Sequence, residues 1–165
     1  MIIGDVPDWV RAVHEWPLSV AVRESELLFP ILQTFHIFGL VLLVGVIAIL
    51  DLRFLGVLLR AQAPGPLARW LLPISRWGFA VVFASGALLL AAQSASLYFN
   101  EFLRVKLLLL AAALMNALLF HTSVFRRVHE WGGAVPVPRS AAAFAGASLL
   151  FWVGVLVTGR YIAYF

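Results

Sequence analysis

Four stretches of this chain carry no Asp, Glu, Lys or Arg: Leu27–Leu50, Trp77–Asn100, Leu107–Phe125 and Ser140–Gly159. Each approaches or exceeds the ~20 apolar residues that cross a ~30 Å hydrocarbon layer. Each is expected to be helical, because lipid offers no hydrogen-bond partner to an open backbone group. The expectation is an all-α integral membrane four-helix bundle. It forms a single transmembrane domain over residues 1–165, with spans at about 27–50, 77–99, 105–125 and 141–163.

Composition agrees. Of the 165 residues, 63% are hydrophobic and 12% are charged, against roughly 45–50% and 25% in soluble domains. With no cysteine in the chain, disulfides, zinc–thiolate sites, cysteine-held iron–sulfur clusters and c-type haem are excluded. The net charge of +4 reads as membrane topology rather than nucleic-acid binding, since no basic run with interleaved aromatics occurs.

The N-terminus has acids at Asp5 and Asp8 and no basic segment before an apolar run, so a retained anchor is expected and not a cleavable signal. Residues 8–16 place Trp9, Val10, Val13 and Trp16 on one side at helical spacing, with Asp8, Arg11 and Glu15 on the other. This pattern predicts a short interfacial helix ended by Pro17. The Ala63-Pro64-Gly65-Pro66 segment reads as a turn, and the connection near Ser96–Phe102 as a brief loop.

Orientation follows from the cations. With four crossings both termini share one face, which holds Arg11, Arg23, Arg104, Lys106 and Arg160. The other face holds Arg53, Arg60, Arg69, Arg76, Arg126, Arg127 and Arg139. The more basic face is assigned to the cytoplasm, so both termini are predicted to be periplasmic.

Polar residues at membrane depth are the candidates for function, because each is costly there without a partner. In the first span Gln33, His36, Gly39, Leu40, Leu43 and Ile47 share a stripe, with Ser25 and Asp51 at its ends. A histidine next to a glycine along such a stripe suits the approach of a flat ring, a haem or a quinone. The alternative is that His36 braces helices through a hydrogen bond to Asn116 or a carbonyl. In the third span Lys106, Leu110, Ala113, Ala117 and His121 share a stripe, with Asn116 at its margin. Lys106 and Arg160 either anchor at the interface or meet an anionic ligand group such as a propionate. His36 and His121 differ in height by roughly 12 Å at ~1.5 Å per residue, which is awkward for the two ligands of one iron. Small residues along the second and fourth spans allow close packing, within the bundle or in a homo-oligomer.

Phe29-Pro30, Gln33-Thr34-Phe35-His36-Ile37-Phe38-Gly39-Leu40, Gly45 and Asp51-Leu52-Arg53-Phe54-Leu55-Gly56 resemble a family of small bacterial inner-membrane proteins of unknown function. So do Leu72-Pro73, Gly78-Phe79, Ser85-Gly86, Phe102 with Lys106, Asn116 with His121, and Gly159-Arg160-Tyr161-Ile162-Ala163-Tyr164. More distantly, the layout is similar to the membrane domain of copper-resistance protein D and to HemJ-type protoporphyrinogen oxidases. That resemblance implies a haem ligand at His36 with Lys106 as its companion.

The leading expectation is a b-type haem redox protein of the bacterial cytoplasmic membrane, exchanging electrons with a quinone, a small molecule or a partner membrane subunit. His36 binds iron, Gly39 makes room for the ring, and Lys106 and Arg160 meet the propionates. His121 and Asn116 supply a second ligand, a second site or a polar brace. The alternatives are a transport component for copper or another small solute, using His36 and His121, and a non-catalytic membrane subunit in which both histidines only brace helices.

Overall fold

A computed structural model describes residues 6–130 and 137–164; within it the side chains of Arg127, His129 and Glu130 are not described. The described residues form seven α-helices and one 3₁₀ segment, with no strand. In chain order the helices are α1 (Asp8–His14), α2 (Pro17–Glu24), α3 (Leu28–Phe54), α4 (Pro64–Ala92), α5 (Ser94–Leu97), α6 (Glu101–Ser123) and α7 (Arg139–Tyr161), with the 3₁₀ segment at Phe125–Glu130.

Helices α3, α4, α6 and α7 have 27, 29, 23 and 23 residues and are long and apolar enough to cross a membrane. At ~1.5 Å per residue each covers ~30 Å of hydrocarbon. Their outward side chains are large and apolar: Leu108, Leu150 and Trp77 are each more than 70% exposed, which suits contact with lipid rather than water. The chain is therefore a multi-pass, all-α membrane protein.

The element edges refine the sequence reading. Pro64-Gly65-Pro66 is not a turn but the first turn of α4, where proline's missing N–H is no loss and its fixed φ is already helical. That helix begins well before the expected edge near residue 77. Pro17 does end α1, but it also opens α2 with proline at the first position. Helix α3 stops at a glycine. Gly56 has φ +70°, its N–H donates to Arg53 O at 3.1 Å, and the Val57 N–H donates to Leu52 O at 2.9 Å. These are the paired bonds of a Schellman cap, and the αL residue they require is most easily glycine.

The chain divides into two compact units. The first comprises residues 1–43 and 76–101. In it α1 packs on α5, with Trp9 edge-on to Tyr98 at 6.0 Å. The Arg23 guanidinium donates to His14 O at 3.0 Å and Ala92 O at 3.2 Å. It thereby caps the last carbonyls of both α1 and α4, groups that have no partner within their own helices. Helices α3 and α4 touch through glycines: a Cβ at Gly78 would stand 2.6 Å from Leu43 N and 2.9 Å from Gly39 O.

The second unit comprises residues 44–75 and 102–165. Its core joins Val46, Leu50 and Phe54 of α3, Ala68 of α4, Val128 of the 3₁₀ segment and Ala141 and Ala145 of α7. Phe120 of α6 lies against Phe54 at 5.3 Å and Phe144 at 5.9 Å between ring centroids. Leu109 of α6 fills the face of α7 at Gly154.

Candidate functional site

His36 lies on α3 in the first unit, half-buried, facing Ser85 and Gly86 of α4. Its Nδ1 is 3.0 Å from Ser85 Oγ. Ser85 is 4% exposed, and its hydroxyl donates to Val81 O at 2.5 Å. A serine has one hydroxyl proton, and here the carbonyl takes it. The contact with His36 must then run the other way, with Nδ1–H donating to Oγ. That places the imidazole lone pair on Nε2. Gly86 lets the ring lie against α4: a Cβ there would stand 3.0 Å from His36 Cε1. The pairing sets both the tautomer and the direction of the ring, as the outer partner of a ligating histidine does.

Gly39, one turn along α3, opens no space for a ring. A Cβ there would meet Val82 Cγ2 at 2.8 Å and Val81 Cγ1 at 3.0 Å. The room given up by the missing side chain is used for close contact with α4, so Gly39 acts in packing. Gln33, expected on the same stripe, is exposed.

The other predicted residues belong to the second unit. Asn116 Nδ2 donates to Phe144 O at 3.1 Å, which ties α6 to α7 and matches the polar-brace alternative. His121 is exposed, and its Nδ1 donates to Ala117 O of its own helix at 2.9 Å. Its ring sits 4.9 Å from that of Phe125. The Lys106 side chain runs along α7 over Gly159, where a Cβ would be 3.6 Å from Nζ. Arg160 follows Gly159 in the chain. It is exposed, donates to the Tyr164 hydroxyl, and holds its guanidinium carbon 4.7 Å from the centre of that ring. Lys106 and Arg160 thus bring two cations to one end of this unit, beside the stacked Phe102 and Tyr161 rings.

Three groups outside the expected ligand set emerge. Ser85 is the partner of His36. It is visible in the sequence only as one of several hydroxyls at membrane depth. Asp51 and Ser148 are joined by a hydrogen bond between α3 and α7. The signal for Asp51 was its position at the end of the His36 stripe, but its partner lies 97 positions away and nothing in the periodicity names it. Among the described residues, no three His, Asp or Glu side chains gather into a group that would hold a metal ion.

A family model described as a family of unknown function (DUF6644) matches residues 26–165. No curated protein and no solved structure matches the chain.

Proposed function

The chain belongs to that family, whose function is unknown, and we propose from its own site that it is a membrane redox protein holding a b-type haem through His36. The supporting observation is the hydrogen-bond order at His36. Ser85 spends its only proton on Val81 O, so Nδ1–H is committed to Ser85 Oγ and Nε2 carries the lone pair. A ligand histidine needs that tautomer and a fixed ring, and its outer hydrogen bond raises its basicity.

Haem would supply one-electron exchange with a quinone or a partner membrane subunit. The residues supply the rest. Ser85 fixes the ring nitrogen, and Gly86 seats the imidazole. One histidine fits as a ligand. Gly39 does not serve as the opening for a ring, and His121 lies exposed on α6 in the second unit. Copper transport is less well served by the donors present, because no three His, Asp or Glu side chains gather into one group among the described residues.

A second reading has its own support. Gly39 and Gly78 bring their helices into close contact, and the His36–Ser85 bond joins the same two helices as a lock would. In a non-catalytic subunit that lock would be its whole role.

The two readings separate in a dithionite-reduced minus oxidised absorbance spectrum of protein purified in detergent from haem-supplied cells. A sharp reduced α-band that disappears in His36→Ala supports the haem reading. A flat spectrum from folded protein, with His36→Ala only lowering the unfolding temperature, leaves the brace. The proposed location is the bacterial cytoplasmic membrane, with both termini on the periplasmic side.

A further inference from the structure

Asp51 sits in the last turn of α3, its own carbonyl accepting from Leu55 N–H at 2.9 Å. Its side chain is 7% exposed. The Ser148 hydroxyl of α7 hydrogen-bonds the carboxyl. The other oxygen, Oδ2, is buried and has no hydrogen-bond partner among the described residues. Leu50 and Phe54 on α3 and Ala145 on α7, near neighbours of Asp51 and of Ser148 along their helices, belong to one apolar core. The nearest cation along the chain, Arg53, is itself buried but turned to Gln62 O at 2.7 Å. Among the side chains described, no Lys or Arg forms an ion pair with Asp51.

A carboxyl oxygen in this position is expensive to leave without a positive partner. The helix adds to the demand, because the partial negative charge of its dipole gathers at the C-terminal turn where Asp51 stands. A buried acid at the end of a membrane-spanning helix, turned to its own core and not to lipid, is a candidate ion or proton site. We propose that Asp51 and Ser148 form a small-cation site in which Oδ2 takes up a proton or a sodium ion and Ser148 orients the carboxyl. The inference does not depend on the haem reading, since it concerns a different pair of residues in a different unit.

The test is thermal unfolding of the detergent-purified chain between pH 5 and 9, at constant ionic strength in sodium or choline chloride. It is run on the native protein and on Asp51→Asn, which keeps the shape of the acid and cannot exchange a proton. The charged and titratable groups on the elements around the site are Arg53 on α3, Arg69 on α4, His121 on α6 and Arg139 on α7. The 3₁₀ segment adds Arg126, Arg127, His129 and Glu130. The arginines keep their charge throughout, and His121→Gln with His129→Gln serves as the background that removes histidine titration.

If the cation is a proton, the native unfolding temperature follows pH in a way that Asp51→Asn lacks, and sodium is indifferent. If it is sodium, the temperature rises in sodium over choline for the native chain alone. Superimposable pH and sodium profiles for the two proteins overturn the proposal. Should Asp51→Asn not accumulate, Ser148→Ala keeps the carboxyl and removes its hydroxyl. It is expected to displace the midpoint of the same response, and a response it leaves unchanged also overturns the proposal.

Discussion

At the scale of single residues, the polar side chains at membrane depth are mostly spent on a definite partner. Ser85 is the clearest case: one proton, given to Val81 O, determines which nitrogen of His36 bears the lone pair. Asn116 is spent on Phe144 O. Interhelical hydrogen bonds in bilayers are worth about 0.6 kcal/mol on average, so Asn116→Ala is expected to cost about that much, read as a modest drop in unfolding temperature. Outside the spans, His14 accepts from Arg23 Nη1 at 3.4 Å through Nδ1. Burial, and then the Arg23 guanidinium, hold the His14 pKa below its usual 6.5. The unfolded chain therefore binds the proton first as pH falls. The stability associated with neutral His14 is present above pH 6.5 and is lost as pH drops below it toward the folded-state value. Hydrogen exchange at α1 amides should accordingly show weaker protection at about pH 5.5 than at about 7.5, after correction for intrinsic rates, and His14→Gln should remove the difference.

At the scale of elements, glycine decides how closely α3 and α4 approach in the first unit. A methyl at Gly78 would collide with backbone atoms of α3, Leu43 N and Gly39 O, and backbone cannot swing aside as a side-chain tip can. Gly78→Ala is expected to destabilise by about 1–3 kcal/mol, the usual cost of overpacking. A methyl added at Gly45 would meet nothing within 4 Å, so Gly45→Ala should be neutral or slightly stabilising through helix propensity. Parallel melts of the two variants check the contrast. The amphipathic N-terminal segment also behaves as elements and not as a loose anchor: Arg23 ties α2 to the ends of α1 and α4, and Ser94 Oγ reaches Val10 O at 3.5 Å.

At the scale of the whole molecule, four crossings are expected to put the arginine-rich connections on one side of the bilayer and the termini on the other. The chain has no cysteine, so single substitutions give an unambiguous readout. Ala61 is exposed in the connection before α4, and Ser96 lies near the opposite end of that helix. In intact bacterial cells a membrane-impermeant maleimide is expected to label Ser96→Cys and to spare Ala61→Cys until the membrane is opened. The reverse pattern would invert the assigned orientation. The same purified material serves for the absorbance spectrum, which decides between a haem protein and a helix-bracing subunit.

Hydrophobic run length determined the four spans by itself, because a segment too apolar for water and long enough for the bilayer has only the helix open to it. The arginine asymmetry and the interest of His36, Asn116 and Lys106 were also legible, since an intramembrane polar residue is costly wherever it sits. The extension of α4 back to Pro64 was not legible: Pro-Gly-Pro is common to turns and to helix starts, and packing of Ala68 and Gly65 against Val128 chooses between them. Nor was the role of Gly39, whose missing side chain admits either a ring or a neighbouring helix; Val82 occupies the space. Pairings were the least legible of all. Ser85 with His36 and Ser148 with Asp51 join positions 49 and 97 residues apart, and helical periodicity orients a residue on its own helix while saying nothing of which face of another helix it will meet.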